Sequence, residues 1–167
     1  SARALPPSPA PLRIEDELGH FARTIGGPAA IALLSVTLAS MVLRVYWADH
    51  HVKAAQELYR TGRIEETSVQ LDQALDLDQE RGDARLLRGL IYAMSQRFED
   101  SLGEFRAAER SYDDVTLHYY MGRVYEQMQK SKEALAQYRY ALEVFPAGQE
   151  ITELVRKRIQ LLTGQAG

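Results

Sequence analysis

Three stretches of this chain can be laid over one another, and that repetition limits how its apolar residues can be buried. They are AAQELYRTGRIEETSVQLDQAL (54–75), RGLIYAMSQRFEDSLGEFRAAE (88–109) and MGRVYEQMQKSKEALAQYRYAL (121–142), offset by about 34 and 33 residues. In each, a small residue (Ala55, Gly89, Gly122) stands three positions before a large apolar one (Leu58, Tyr92, Tyr125). A second small residue follows (Thr67, Ser101, Ala134), then a bulky one (Leu71, Phe105, Tyr138), then alanine (Ala74, Ala108, Ala141). Two helices nest closely only where small side chains on one face large side chains on the other. From about residue 48 onward the apolar spacing is helical, and no alternating run suggests a strand. A single helix pair cannot cover its own apolar face, so copies must stack.

These residues resemble the signature of the tetratricopeptide-repeat (TPR) family over residues 48–146, and the third unit closes in Glu-Val-Phe-Pro at Pro146. The resemblance implies an all-α solenoid of three helix pairs, at about 48–79, 82–113 and 115–146. Several positions depart from the family pattern. Ala54-Ala55 replaces an apolar-then-small pair, and His51 stands where a large aromatic often sits. Arg88 precedes Gly89, and Gln96 stands where the first unit has its turn glycine, Gly62. Residues 147–163 form an amphipathic pattern with Ile151, Leu154, Val155, Ile159 and Leu162 on one side. That pattern predicts a C-terminal capping helix, with Arg156, Lys157 and Arg158 as its solvated face.

A second feature is independent of the repeats. From Thr24 to Leu43 the chain has no charge, over about 20 residues, which is the length of a transmembrane helix. Arg23 and Arg44 bracket this run, and Tyr46 and Trp47 follow where ring side chains favour the lipid–water interface. We therefore expect one transmembrane helix over 24–47. A cleaved signal peptide fits less well, since a polar leader of more than 20 residues comes first. A soluble core helix should carry a polar stripe, and Ser35, Thr37 and Ser40 make only a weak one. Gly26-Gly27-Pro28 reads as a helix start, and no glycine or proline then occurs before Gly62. The helix is thus expected to continue into the first repeat.

Within residues 1–23, a Pro- and Ala-rich tail (SARALPPSPAP) precedes LRIEDELGHFAR, which is read as a possible juxtamembrane helix. Positive charge is nearly balanced across the uncharged run, so it sets no orientation.

Composition excludes several chemistries. There is no cysteine, hence no disulfide, thiolate metal site or thiol nucleophile. A net charge of −3 without a basic cluster gives no reason to expect nucleic acid. Of His20, His50, His51 and His118, the adjacent pair diverges by about 100° on a helix and cannot chelate together. No phosphate loop, nucleophile elbow or metal motif is present, and no cofactor or metal is expected. Glu65-Glu66 and Asp113-Asp114 fall at helix starts, where the dipole favours negative charge. The chain is expected not to be an enzyme.

Two surfaces remain as candidate sites. In proteins this chain resembles, one face of each first helix lines a concave groove. Carried over, that face offers Gln56, Tyr59 and Arg60, then Leu86, Leu90 and Met94, then Tyr119, Arg123 and Gln127. The family's lysine–asparagine clamp for a terminal carboxylate is missing here. The aromatic and aliphatic set suits an apolar helix or an extended segment. In the uncharged run, Pro28, Ala32, Ser35 and Ala39 form one stripe of small residues, suited to close helix contact in lipid.

The resulting expectation is a membrane-anchored protein–protein interaction scaffold, an accessory or assembly subunit of a larger membrane complex. Its expected partners are other transmembrane subunits and a soluble domain or peptide. The alternative is a transient receptor that recruits clients or an enzyme through the groove. Resemblance extends to bacterial inner-membrane TPR proteins, to subunits that decorate energy-transducing complexes and to mitochondrial import receptors. These residues do not choose among them. By analogy with the first, a single-pass protein of the bacterial inner membrane with a periplasmic repeat domain is expected.

Overall fold

The computed structural model describes residues 27–145 and 150–164. The tail and juxtamembrane segment at 1–23, the start of the uncharged run at 24–26 and Pro146 lie outside the described residues. So does the Pro28 side chain. The chain divides into two units, Ser1–Leu43 and Arg44–Gly167.

The first helix, α1 (Gly27–Arg60), is unbroken over 34 residues. Of the first unit, the described residues are the N-terminal part of α1. There Ile31, Leu33, Val36 and Val42 are each about two-thirds exposed. At about 1.5 Å per residue, residues 27–46 alone reach the roughly 30 Å of a bilayer core. The helix is therefore long and apolar enough to cross a membrane.

The second unit is all-α among the described residues. After the C-terminal part of α1 come α2 (Ile64–Leu77), α3 (Gly82–Met94), α4 (Phe98–Ala108), α5 (Val115–Gln127), α6 (Ser131–Val144) and α7 (Glu150–Gly164). Each odd–even pair closes through the same turn. Gly62, Gln96 and Gln129 all adopt left-handed backbone, with φ of 77°, 59° and 60°. Their N–H groups donate to the carbonyls of Tyr59, Ala93 and Glu126, and the next residues donate to Leu58, Tyr92 and Tyr125. This double bond is the Schellman ending, which satisfies orphan carbonyls where the helix stops. The sequence pattern that departs at Gln96 thus leaves the turn intact and puts a glutamine where glycine is sterically free.

Inside each pair, the small-against-large pattern brings the helices into contact. A Cβ on Gly89 would overlap the Phe105 ring, and one on Gly122 would overlap the Tyr138 ring. Phe105, Tyr138, Leu71, Ala74, Ala108 and Ala141 are fully buried. The buried Ser101 hydroxyl donates to the Gly89 carbonyl at 2.8 Å, so its burial leaves no orphan donor.

Stacking joins the pairs, and every core cluster spans three consecutive helices. Val52 and Ala55 of α1 meet Leu71 and Leu75 of α2 and Leu87 and Ile91 of α3. Leu102 and Phe105 of α4 meet Leu117, Met121 and Val124 of α5, with Leu86 and Leu90 of α3 against them. Tyr119 of α5 and Tyr138 of α6 meet Val155 of α7.

Ion pairs reinforce two of the junctions. Glu104, 15% exposed, accepts from both Arg85 (3.1 Å) and Arg88 (2.9 Å). Arg81 bridges Asp83 and Asp49, and hydrogen bonds from Lys53 and Arg81 hold the Asp49 carboxyl below its ordinary value. Asp114 caps α5 by accepting from the Thr116 N–H at 2.6 Å.

α7 packs as the cap, but its basic run does not form one solvated face. Arg158 turns toward Glu126 of α5 at 3.4 Å, Arg156 pairs with Glu153 on its own helix, and Lys157 is exposed. Successive helical residues diverge by about 100°, so three in a row cannot share one side.

Candidate functional site

The repeats expose their first helices along one side, and the side chains there enclose a cavity of about 200 Å³. Tyr59 of α1 contributes one wall, and Leu90, Ala93 and Met94 of α3 the next. Phe105 of α4 lines it as well, and Tyr120, Arg123, Val124 and Gln127 of α5 complete it. The Tyr59 hydroxyl donates to the Met94 sulfur at 3.4 Å. Burial raises the Tyr59 phenol above its ordinary value, so it stays neutral at physiological pH. Arg123 is half-buried, and its Nη1 donates to the Tyr119 hydroxyl at 3.0 Å.

The cavity gathers Tyr59, Leu90, Met94, Arg123 and Gln127 of the residues proposed from sequence. The other four lie elsewhere. Gln56 and Arg60 are exposed away from it, and Arg60 pairs with Glu57 on its own helix. Leu86 is half-buried against the α4–α5 core. Tyr119 is 8% exposed and packs with Tyr138 and Val155. The sequence reading missed Ala93, Phe105, Tyr120 and Val124. On α5 the cavity takes Tyr120, Arg123, Val124 and Gln127, an i, i+3, i+4, i+7 set that periodicity alone would identify.

Among the described residues, His118 and His51 are hydrogen-bonded within the fold, and His50 is exposed. His118 is buried, with Nε2 at 2.8 Å from Asp113 and Nδ1 at 2.9 Å from Gln137. His51 Nδ1 lies 2.8 Å from Gln70. Among the described residues, no group of three His, Cys, Asp or Glu side chains converges as a metal site would require.

In the first unit, Ala32, Ser35 and Ala39 are exposed along α1. The hydroxyls nearby turn back onto their own helix. Ser35 donates to the Ile31 carbonyl (2.8 Å), Thr37 to Leu34 (2.8 Å) and Ser40 to Thr37 (2.7 Å). Each polar side chain of this stretch is thereby satisfied without water.

Comparison with known proteins agrees with this architecture. Residues 52–115 match the family model described as tetratricopeptide repeat. No curated protein matches the chain. Among solved structures, pilF of Pseudomonas aeruginosa is similar with a TM-score of 0.64 at 18% identity, covering 74% of this chain and 55% of its own. YrrB, a TPR protein with an unusual peptide-binding site, is similar with a TM-score of 0.60 at 22% identity, covering 70% and 59%. The Yersinia enterocolitica type III secretion chaperone SycD, in complex with a peptide of the translocator YopD, gives 0.64 at 14% identity, covering 71% and 94%. This chain thus spans little more than half the length of the first two. At these identities the likeness establishes the fold, a TPR-like α-solenoid.

Proposed function

We propose that this chain, whose residues 52–115 are tetratricopeptide repeats, is a membrane-anchored scaffold that holds a segment of another protein in its repeat groove. The TPR fold supports protein–protein interaction as its general role. YrrB and SycD, similar in fold, have a peptide-binding site and a bound peptide in their own structures. The observation that carries the membrane reading is the state of residues 27–46. Their large apolar side chains are exposed, while the hydroxyls of Ser35, Thr37 and Ser40 are bonded to their own helix. Exposed leucine, isoleucine and valine over that length are costly in water and favourable in hydrocarbon. Small residues at Ala32, Ser35 and Ala39 leave one face open to close approach by another membrane helix, as an accessory or assembly subunit requires.

The test is fractionation of cells that make the full chain, followed by purification in a mild detergent with its companions identified by mass spectrometry. The chain is expected to stay with membranes after an alkaline wash, and Leu34→Lys with Leu38→Lys to release it. Stoichiometric membrane subunits would support the accessory role. A wild-type chain found in the wash would end the membrane reading. Recovery without fixed companions would leave a transient receptor.

A further inference from the structure

A second cavity, of about 230 Å³, is lined by Tyr119 of α5 and by Leu154, Lys157, Arg158 and Leu161 of α7. The two cavities adjoin through one hydrogen bond, since Arg123 lines the first and its Tyr119 partner lines the second. Both volumes fall below the roughly 300–1,000 Å³ of small-molecule sites. Each therefore suits a single large side chain better than a cofactor. Their walls are apolar in larger part, with Arg123 and Gln127 in one and Lys157 and Arg158 in the other. Met94, Leu154 and Leu161 stand 62%, 43% and 47% exposed around them.

Charge at this junction is one-sided. Glu126 is in contact with Arg158, and its charge also reaches Arg123, whose bonding contacts are the Tyr119 hydroxyl and ring face. Three cations here, Arg123, Lys157 and Arg158, thus share one contacting carboxylate. Lys157 is exposed and lines the second cavity with Tyr119. Among the described residues, no carboxylate pairs with Arg123 or Lys157. An occupant that covers Arg123 with apolar groups alone would bury a guanidinium whose nearby carboxylate, Glu126, is already in contact with Arg158, which is unfavourable. A carboxylate offered there accepts two parallel bonds from the same fork.

We infer that the groove takes an internal segment of a partner protein carrying an acidic side chain between two large apolar ones. The apolar side chains enter the two cavities, and the carboxylate meets Arg123 and Lys157. A chain terminus fits less well, because Arg123 lines one cavity and its partner Tyr119 the other, and a terminal carboxylate placed between them would leave one empty. Nucleic acid is disfavoured, because three cations among aliphatic walls make too small a positive surface. This deepens the groove-binding reading above and rests on it.

The probe is a library of synthetic random peptides, capped at both ends, titrated against the full chain in detergent by fluorescence anisotropy. Met94→Glu serves as the groove-blocked control, because that side chain is exposed and its replacement leaves the core intact. Bound peptides are expected to share an acid between two apolar residues, and replacing the acid with its amide to weaken binding by about tenfold. Arg123→Glu with Lys157→Glu is expected to reverse the preference from acid to lysine. Lys157→Glu alone, at an exposed position, is expected to weaken acidic peptides in the same direction should Arg123→Glu disturb Tyr119. Peptides that bind wild type but not Met94→Glu, with no preference for an acid, would refute this inference and leave the groove reading standing. Binding that appears only when the same peptides are made with an uncapped C-terminus would refute the internal-segment assignment. Equal binding to wild type and Met94→Glu would remove both readings.

Discussion

At the scale of single residues, two backbone requirements decide what the repeats tolerate. Gly89 and Gly122 lie against the Phe105 and Tyr138 rings, so a methyl group there must push a buried aromatic side chain aside. Gly89→Ala and Gly122→Ala are each expected to cost about 1–3 kcal/mol, read by denaturant titration. Phe105→Leu should restore part of the loss in the Gly89→Ala background, because it vacates the overlapping space. The opposite sign is expected at the turns. Gln96 and Gln129 hold φ near +60°, which strains a residue with a Cβ, and glycine relieves that strain while gaining freedom in the unfolded chain. Gln96→Gly and Gln129→Gly should therefore each stabilise by about 0.5–1 kcal/mol in the same titration. The departure at Gln96 was legible in the sequence. That its backbone keeps the glycine geometry was not, because neighbouring helices impose the turn.

At the scale of elements, Glu126 of α5 ties the last three helices together. It accepts from the Tyr138 hydroxyl of α6 and pairs with Arg158 of α7. Burial, and then the hydrogen bond and charge of Glu126, raise the Tyr138 phenol well above its ordinary 10.0. The folded state thus favours the neutral phenol. Its contribution is fully present below the unfolded value near 10 and is lost as pH rises past it. Stability should begin to fall near pH 10 and go on falling at higher pH, and Tyr138→Phe should lessen that fall. At neutral pH the same change should cost about 1 kcal/mol, for the lost hydrogen bond. Stability curves of both proteins across that range check the prediction, and parallel curves would show that Tyr138 does not carry the effect. The sequence marked Tyr138 as a core ring and α7 as a cap. It gave no sign of the Glu126 link, because Glu126 and Arg158 meet only once α7 has packed.

At the scale of the whole molecule, the repeats behave as neighbours supporting neighbours. α7 buries Val155 against Tyr119 and Tyr138, while α1 to α3 form a separate cluster. Deleting residues 150–167 is expected to speed amide hydrogen exchange in α5 and α6 while α2 and α3 keep most of their protection. Uniform loss of protection would mean that the unit folds as one cooperative body. What the sequence determined by itself was local or periodic. The offset of about 34 residues, the small and large positions, and the uncharged run each follow from spacing along one chain. Tertiary structure alone decided which first-helix residues face the cavity, because a rotation of about 100° separates Tyr119, buried under α7, from Tyr120 in the cavity wall. It also decided which cation Glu126 contacts. Glu126 stands three residues after Arg123 on the same helix, yet it pairs with Arg158 of α7, and Arg123 makes its hydrogen bond to the Tyr119 phenol.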